Sequence, residues 1–427
     1  MRREVGSLGF CLSCLLAVIT VSEVVITGDS RTHSGDIQVL KDFKNGLNPG
    51  SITPGSCLSS WDFSVDPCDY LFSDRFTCGF RCDRLVAGVS RVTEITLDQA
   101  GYTGTLSSST WNLPFLQFLD LSDNSFSGSI PDSFSNLTRL RRLTLSRNSF
   151  SGEIPNSLGS LPNLEELYLD NNHLQGPIPA SINGLISLKK LELQENALSG
   201  AFPDLGSLKN LYFLDASDNQ ISGQVTTALP ASLVELSIRN NNLEGKLPHR
   251  LGSLKYLQVM DMSDNKLSGV ISWIVFDHPS LQQLTLSHNN FSLLQVPSNM
   301  GEGSKLIALD LSYNQLGGLL PAFIASMPNL SAVSLEHNKF TGMIPSQYAL
   351  KTVVGGGGGT ASFERLLLGG NYLFGPIPGP LMFLKPGYAN VSLVDNCLYR
   401  CPNSFFFCQG GTQKSLVDCK NFRHSIP

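Results

Sequence analysis

The segment LRRLTLSRNSFSGEIP, from Leu140 to Pro155, decides the fold because the chain repeats its pattern along most of its length. Leucine stands at its first, fourth and sixth positions, Asn148 at its ninth and Gly152 at its thirteenth. Equivalent first positions recur every 22 to 25 residues, apart from one interval of 33. The thirteen first positions are Val92, Leu116, Leu140, Leu164, Leu188, Leu211, Leu233, Leu257, Leu281, Leu306, Leu330, Phe363 and Tyr388. A repeat of this length predicts a stack of units in which each unit buries its apolar side against its neighbours.

Each unit contains a short strand followed by an asparagine. Leu167 and Leu169 alternate on one face of such a strand, whereas Tyr168 points to the other face. Asparagine stands eight residues after twelve of the thirteen first positions, and Ala100 replaces it in the first unit. Because an asparagine amide both donates and accepts, this column is expected to satisfy the backbone groups of buried turns. Stacking the strands predicts one parallel sheet.

Glycine forms a second column, twelve residues after the first position, in eleven of the twelve units from Val92 to Phe363. Leu293 is the exception. Glycine permits a positive φ, and following prolines such as Pro131 and Pro155 oppose helix formation. The opposite side of the solenoid is therefore predicted to hold short extended and 3₁₀ segments instead of long helices.

The pattern L-x-x-L-x-L-x-x-N-x-L, continued in many units as S-G-x-I-P, resembles the plant-type extracellular leucine-rich repeat. The expected fold is an α/β solenoid, a curved leucine-rich-repeat superhelix with a parallel concave sheet, short 3₁₀ or extended convex segments and disulfide-bonded caps. The repeats are assigned to residues 92–398, with a glycine-rich loop at 351–361. The simpler interpretation of this loop is a surface connection without a binding role. The alternative is a short counterpart of the ligand-binding insertions found in some relatives.

Eight cysteines form two groups of four at the two ends of the repeat array. They are Cys57, Cys68, Cys78, Cys82, Cys397, Cys401, Cys408 and Cys419. An even count in two terminal groups predicts disulfide-bonded caps, at residues 31–91 and 399–427. Each group allows three pairings, which the sequence leaves open. Neither group contains a histidine or a C-x₂-C pair, so zinc is not expected.

The N-terminal cap begins with a predicted amphipathic helix, DIQVLKDFKN, with Asp36 as its expected N-cap. Its apolar side is formed by Ile37, Leu40 and Phe43. Together with Trp61 and the segment Asp66, Pro67, Cys68, this helix resembles the N-terminal cap of plant leucine-rich-repeat receptors.

Residues 1–30 are predicted to be a signal peptide. Arg2 and Arg3 precede an apolar run from Phe10 to Val21, as is typical of secretory signals. The alternative is a membrane anchor, which Glu23 would make costly. We expect a protein secreted to the extracellular space or cell wall, membrane-associated only if this segment is retained.

Composition and motifs exclude several classes of function. The 427 residues carry a formal net charge of -5. Because the chain has no excess of basic residues to neutralise a phosphate backbone, nucleic-acid binding is not expected. The sequence lacks hydrolase, zinc-protease, nucleotide-binding and kinase signatures, and its seven histidines are dispersed. We therefore predict no enzymatic activity and no cofactor or metal.

Outward positions of the strands in the middle units carry aromatic and mixed charged residues, which are typical of a protein-recognition surface. The predicted partner-binding residues are Phe118, Arg142, Glu166, Tyr168, Asp170, Lys190, Glu192, Gln194, Phe213, Glu235 and Arg239. Ordinary variation on a solvated sheet is the alternative. The predicted N-glycosylation positions are Asn136, Asn290, Asn329 and Asn390.

Resemblance to plant receptor-like proteins implies binding of an extracellular peptide, protein or co-receptor kinase ectodomain in signalling or defence. A second hypothesis is an inhibitor of a secreted cell-wall-degrading enzyme, similar to the polygalacturonase-inhibiting proteins. The two differ in the partner that they predict.

Overall fold

A computed structural model describes residues 32–68, 78–82, 84–106, 110–226, 228–354 and 360–424. The predicted signal peptide and the Gly355 to Gly359 tract lie outside these residues. Within them, the main sheet has fourteen strands, and we call it the concave sheet. Its strands are Gly79–Arg81, Glu94–Thr96, Phe118–Asp120, Arg142–Thr144, Glu166–Tyr168, Lys190–Glu192, Phe213–Asp215, Glu235–Ser237, Val259–Asp261, Gln283–Thr285, Ala308–Asp310, Ala332–Ser334, Arg365–Leu367 and Asn390–Ser392.

The concave sheet follows the repeat unit by unit. Gly79–Arg81 pairs antiparallel with Glu94–Thr96, and every later pair is parallel and joins equivalent positions, such as Leu167 with Leu191. The inward leucines are fully buried and form one continuous core through the array. Phenylalanines of successive units join this core, and the rings of Phe126 and Phe150 stack. The predicted parallel solenoid is confirmed.

A second sheet lies on another side of the solenoid and was not predicted as a sheet. Its first nine strands are Thr103–Thr105, Ser125–Gly128, Ser149–Gly152, His173–Pro177, Ala197–Ala201, Gln220–Gln224, Asn242–Gly245, Lys266–Ile271 and Asn290–Leu294. Four further strands form a separate sheet: Gly317–Leu319, Lys339–Gly342, Tyr372–Pro376 and Cys397–Tyr399. An antiparallel hairpin in the N-terminal cap pairs Arg84–Val86 with Val89–Arg91.

The second sheet breaks at the one unit that lacks the repeat glycine. All eleven repeat glycines have φ between 75° and 144°, where a side chain would be strained. Leu293 does not share this conformation, and the strand pairing beside it shifts register between Gly269 and Val270. The next strand along, Gly317–Leu319, pairs only forward within the described residues. A single missing glycine thus divides the sheet into two.

Convex segments are mostly 3₁₀ helices, as predicted, because a proline precedes or opens many of them. Those in the repeats are Asp132–Asn136, Asn156–Ser160, Ala180–Gly184, Leu251–Ser253, Trp273–Val275 and Gly379–Phe383, and those in the caps are Pro49–Ser51, Cys57–Ser60 and Phe406–Cys408. The α-helices are α1 (Ser34–Asn45), α2 (Phe323–Ser326), α3 (Ser346–Val353) and α4 (Leu416–His424). None of these helices is long and apolar enough to span a bilayer, as far as the structure describes the chain.

The asparagine column forms a hydrogen-bonded ladder. The Asn172 amide donates to the Leu145 carbonyl of the preceding unit at 3.0 Å and to two carbonyls of its own turn. Its Oδ1 accepts from the Phe150 backbone N–H of the preceding unit at 2.9 Å. The same contacts recur from unit to unit as far as Asn396. The predicted role of the column is confirmed. The ladder satisfies the backbone hydrogen-bonding groups of each turn and also joins each unit to the preceding one.

The carboxylate of Asp36 holds the N-terminal cap together through a buried ion pair and joins the cap to the first repeat through a backbone hydrogen bond. Asp36 was expected as the N-cap of α1, and this was wrong: His33 is the N-cap, and Asp36 lies in the first turn. Its carboxylate accepts from Arg91 Nε at 2.9 Å and Nη2 at 2.7 Å, and from the Val92 N–H at 3.0 Å. Disulfides join Cys57 to Cys78 and Cys68 to Cys82.

The apolar face of α1 also differs slightly from the prediction. Leu40 and Phe43 are buried as expected, but Ile37 is partly exposed and Val39 is buried instead. The Phe43 ring lies 5.4 Å from that of Trp111, which extends the core from the cap into the repeats.

The C-terminal cap ends the ladder with a substitute for asparagine. Gln413 Oε1 accepts from the Leu398 N–H at 3.1 Å, and its Nε2 donates to the Leu393 carbonyl at 3.0 Å. These are the positions that a further ladder asparagine would contact. Tyr388, assigned as the last first position, is 74% exposed, so the last unit does not bury this residue. Disulfides join Cys397 to Cys419 and Cys401 to Cys408.

Part of the extra length in the 33-residue unit forms α3. This helix buries Lys351, whose Nζ donates to the Met327 carbonyl and lies 5.1 Å from the centre of the Phe363 ring. Burial lowers the pKa of Lys351 to about 8. Lys351 is therefore deprotonated more easily in the folded protein than in the unfolded protein.

We expect Asn172→Ala to destabilise the protein by at least about 2 kcal/mol, since it leaves buried N–H and C=O groups in two units without partners. Urea unfolding followed by circular dichroism measures this change. Asn163→Ala is the matched control, because Asn163 is exposed and makes one hydrogen bond, to the Thr138 carbonyl. Equal losses in both variants would contradict a structural ladder.

Lys351→Met should change how stability depends on pH. The unfolded lysine keeps its proton to about pH 10.4, whereas the folded one releases it near 8, so the unfolded state binds more protons between these values. Wild-type stability gains from rising pH in this window, by up to roughly 3 kcal/mol, and the Met variant lacks the gain. Unfolding measured at pH 7, 8.5 and 10 tests this, with Lys255→Met, an exposed lysine, as control. Parallel pH curves for wild type and Lys351→Met would refute it.

Candidate recognition surface on the concave sheet

Strand register brings eight of the eleven predicted partner-binding residues into two adjacent rows. The row two residues after each first position reads Phe118, Arg142, Glu166, Lys190, Phe213 and Glu235. The row two residues further along contains Tyr168, Glu192 and Asp215. Since these side chains come from consecutive strands of one parallel sheet, each contacts residues about 24 positions away in sequence.

Arg142 and Glu166 form the first cluster of this surface. Arg142 Nε donates to Glu166 Oε2 at 2.5 Å, and the Tyr168 hydroxyl donates to the same oxygen at 3.1 Å. The hydrogen bond with Glu166 raises the pKa of Arg142. Burial works against ionisation of Glu166, but Arg142 outweighs it and the pKa of Glu166 is lowered. The guanidinium also lies 5.9 Å from the centre of the Phe118 ring.

Lys190 is the centre of the second cluster. Its Nζ lies 5.1 Å from the ring centre of Tyr168 and 4.6 Å from that of Phe213, and donates to Glu192 at 2.6 Å. Burial disfavours the charged amine, yet the bond to Glu192 outweighs it and raises the pKa of Lys190. Gln194 Nε2 donates to Glu192 at 3.0 Å, while Gln194 Oε1 is buried and has no hydrogen-bond partner within the described chain. That oxygen is an unsatisfied acceptor inside the cluster.

Carboxylates dominate the side of the surface beyond Lys190. Burial raises the pKa of Asp215, and the charge of Glu192 adds to the effect. Burial also raises the pKa of Glu235, with Asp215 contributing. Asp215 was missed because it matches the Asp-x-Ser pattern of the less distinctive units, and its bonds to Ser217 are those of that pattern. A basic group from a partner would offset the negative charge here.

Two of the predicted residues are not gathered with the others. Asp170 is only 6% exposed and accepts a hydrogen bond from the Ser146 hydroxyl. Arg239 is exposed and pairs with Asp218 at 2.9 Å, at the turn that follows the strand. We therefore restrict the candidate surface, called the central patch, to nine residues. They are Phe118, Arg142, Glu166, Tyr168, Lys190, Glu192, Gln194, Phe213 and Glu235.

The four predicted glycosylation residues all lie on the surface. Asn136, Asn290, Asn329 and Asn390 are exposed. Asn390 stands on the last strand of the concave sheet, far along the array from the central patch. Occupancy of these positions stays a prediction.

One group of potential metal ligands occurs among the described residues, and its chemistry does not fit a metal. It comprises Cys57, Cys78 and Asp98. The two sulfurs are joined in a disulfide, and Asp98 accepts from the Cys57 N–H at 3.1 Å and from the Tyr102 hydroxyl at 2.6 Å. The group therefore serves to hold the N-terminal cap.

Two exposed histidines of the turns pack against an aromatic ring. The rings of His288 and His337 stack on either side of Tyr313, with centres 4.1 and 4.2 Å apart. These residues occupy the position before the ladder asparagine, where the backbone has positive φ.

Comparisons with known proteins agree with this architecture. The chain is similar to a solved Arabidopsis thaliana structure, the leucine-rich-repeat ectodomain of the membrane receptor kinase GASSHO1/SCHENGEN3 in complex with CASPARIAN STRIP INTEGRITY FACTOR 2. The identity is 30%, the TM-score is 0.67, and the match covers 85% of this chain and 44% of that one. A TDR receptor structure matches at 27% identity and a TM-score of 0.64, over 72% of this chain and 52% of that one. The chain thus spans about half the length of these structures.

Among curated proteins, the LRR receptor-like serine/threonine-protein kinase EFR of Arabidopsis thaliana is 31% identical over 112 residues, which are 26% of this chain and 10% of that protein. The family model "Leucine rich repeat N-terminal domain" matches residues 33–72, within the predicted N-terminal cap. The family model "Leucine-rich repeat region" matches residues 105–366, more than half of the chain. Repeat, ladder, caps and family models agree: the chain belongs to the leucine-rich-repeat family.

Proposed function

We propose that this protein is a secreted recognition scaffold that binds an extracellular peptide or protein across the central patch. Lys190, set between the rings of Tyr168 and Phe213, is the observation that carries the proposal. Aromatic side chains that are partly exposed and flanked by charges of both signs are typical of the centre of protein interfaces.

Secretion is supported by the caps as well as by the N-terminal sequence. Four disulfides close the two ends, and disulfides of this kind persist in oxidising compartments. The four exposed glycosylation sequons are compatible with the same compartment. We therefore infer an extracellular location, in plants the space that includes the cell wall.

Related folds support a binding role. The similar ectodomain of GASSHO1/SCHENGEN3 was solved in complex with CASPARIAN STRIP INTEGRITY FACTOR 2. Binding of a peptide, protein or co-receptor ectodomain in signalling or defence is the function that we propose here. Inhibition of a secreted wall-degrading enzyme is the alternative, and the identity of the partner distinguishes the two.

The double variant Tyr168→Ala/Phe213→Ala should lose the partner, because it removes both rings around Lys190. Hot-spot aromatics contribute on the order of 2 kcal/mol or more each, so retention should fall at least about tenfold. Affinity capture from cell-wall fluid with wild type and variant, quantified by mass spectrometry, measures this. A retained peptide or kinase ectodomain supports the receptor role, and a retained glycan hydrolase supports the inhibitor role.

Tyr256→Ala is the matched control, since Tyr256 is 64% exposed and lies outside the concave sheet. It should retain the partner as wild type does. A partner held equally well by the double variant would contradict binding at the central patch.

A further inference from the structure

Three arginine side chains converge on the single ring of Phe115, at the N-terminal end of the repeat array. The guanidinium carbons lie 5.5 Å (Arg84), 4.5 Å (Arg91) and 4.6 Å (Arg139) from its centre. They come from the cap hairpin and from the turns that precede the strands. Each contact is within cation–π range, so one aromatic ring gathers three like charges.

Only one of the three charges is neutralised by a carboxylate in the described structure. Arg91 is buried and paired with Asp36 at 2.7 Å. For Arg84 and Arg139, no ion pair is formed with any described residue. Asp83, next to Arg84 in sequence, lies outside the described residues. Like charges held together raise the free energy of the folded protein unless an anion joins them.

Of the three arginines, Arg84 and Arg139 line a pocket of about 360 Å³ beside the concave sheet. Arg141 and Gln117 also line it, from the edge next to the central patch residue Arg142. Arginine forks of this kind bind carboxylates through paired N–H donors. The pocket therefore presents three guanidinium groups, those of Arg84, Arg139 and Arg141.

Glu165 shows which anion this edge of the sheet accommodates. Its carboxylate lies at the pocket wall, where Arg141 donates to one oxygen from Nε at 2.8 Å and Lys189 donates to the other at 2.6 Å. One glutamate is shared by two cations there, while Arg84 and Arg139 have no such partner among the described carboxylates. The geometry already binds a protein carboxylate, and it has donors left for another.

We propose that this pocket, whose Arg84 and Arg139 are held together by the Phe115 ring and which we call the arginine pocket, is a second binding site. It takes an acidic segment of a polypeptide through its side-chain or C-terminal carboxylates. The pocket is positive and open at its mouth, whereas the chain as a whole has a net charge of -5. A local basic pocket on an acidic protein selects acidic ligands and favours their approach. This site is separate from the central patch, and the inference can be tested independently of the proposed function.

A fluorescein-labelled hexaglutamate peptide is the probe, with hexaglutamine as the neutral comparison and fluorescence anisotropy as the readout. Wild type should bind hexaglutamate saturably and more weakly as salt rises, and should not bind hexaglutamine. Arg84→Gln/Arg139→Gln should raise the Kd at least about tenfold. Phe115→Leu should raise it by a smaller factor, because the charges remain but are no longer gathered.

Arg250→Gln/Arg365→Gln is the matched control, since it removes the same charge from two exposed arginines elsewhere. It should change the Kd less than twofold. Equal losses in both double variants, or no binding of hexaglutamate to wild type, would overturn the site.

Two further arms separate this site from the alternatives. Tyr168→Ala/Phe213→Ala should leave hexaglutamate binding unchanged, and a loss there would move the acidic ligand to the central patch and overturn the inference while leaving the proposed function intact. Oligogalacturonate and a tyrosine-sulfated peptide are tested in competition. If oligogalacturonate or the sulfated peptide binds in a manner that depends on Arg84 and Arg139 and hexaglutamate does not, the assignment of the ligand as a polypeptide carboxylate is wrong.

Discussion

The side-chain amide of the ladder asparagine is the interaction on which the solenoid depends. Each amide reaches backward, so Asn148 satisfies the Phe126 N–H and the Leu121 carbonyl of the unit before it. A buried turn without such a partner would leave several backbone groups unpaired, at a cost repeated in every unit. The backward direction also explains why Ala100 is tolerated. The first unit has no repeat before it to join.

The same reasoning explains the caps and the break in the second sheet. At the far end a longer amide, Gln413, makes the contacts of the missing thirteenth ladder residue and closes the array. The second sheet depends on a backbone conformation instead of a side chain, and where Leu293 replaces glycine its pairing shifts and then stops. Side-chain ladders and backbone ladders are therefore independent, since the concave sheet continues unbroken past the same unit.

Features determined by periodic or clustered residues could be predicted from the sequence, whereas features determined by contacts between distant residues could not. The repeat, its asparagine ladder and the two groups of cysteines are periodic or clustered features, and they could be predicted. The pairing of Cys57 with Cys78, the Asp36–Arg91 ion pair and the second sheet depend on which residues meet in space, so they could not. For the central patch, outward spacing identified the rows correctly. It could not anticipate that Asp170 would be buried against Ser146.

Fixed spacing between units also governs the electrostatics of the surface. Because equivalent positions of neighbouring units are adjacent, a charge in one unit meets the residue about 24 positions later, and opposite signs there stabilise each other. Arg142 with Glu166 and Arg141 with Glu165 follow this rule. The cluster on Phe115 does not, since Arg84 and Arg139 meet each other's like charge across one ring. Like charges also meet where Glu192, Asp215 and Glu235 lie on neighbouring strands. In both places the folded chain gathers charge of one sign that a ligand of opposite charge would offset, and this sets the arginine pocket apart from the ion pairs around it.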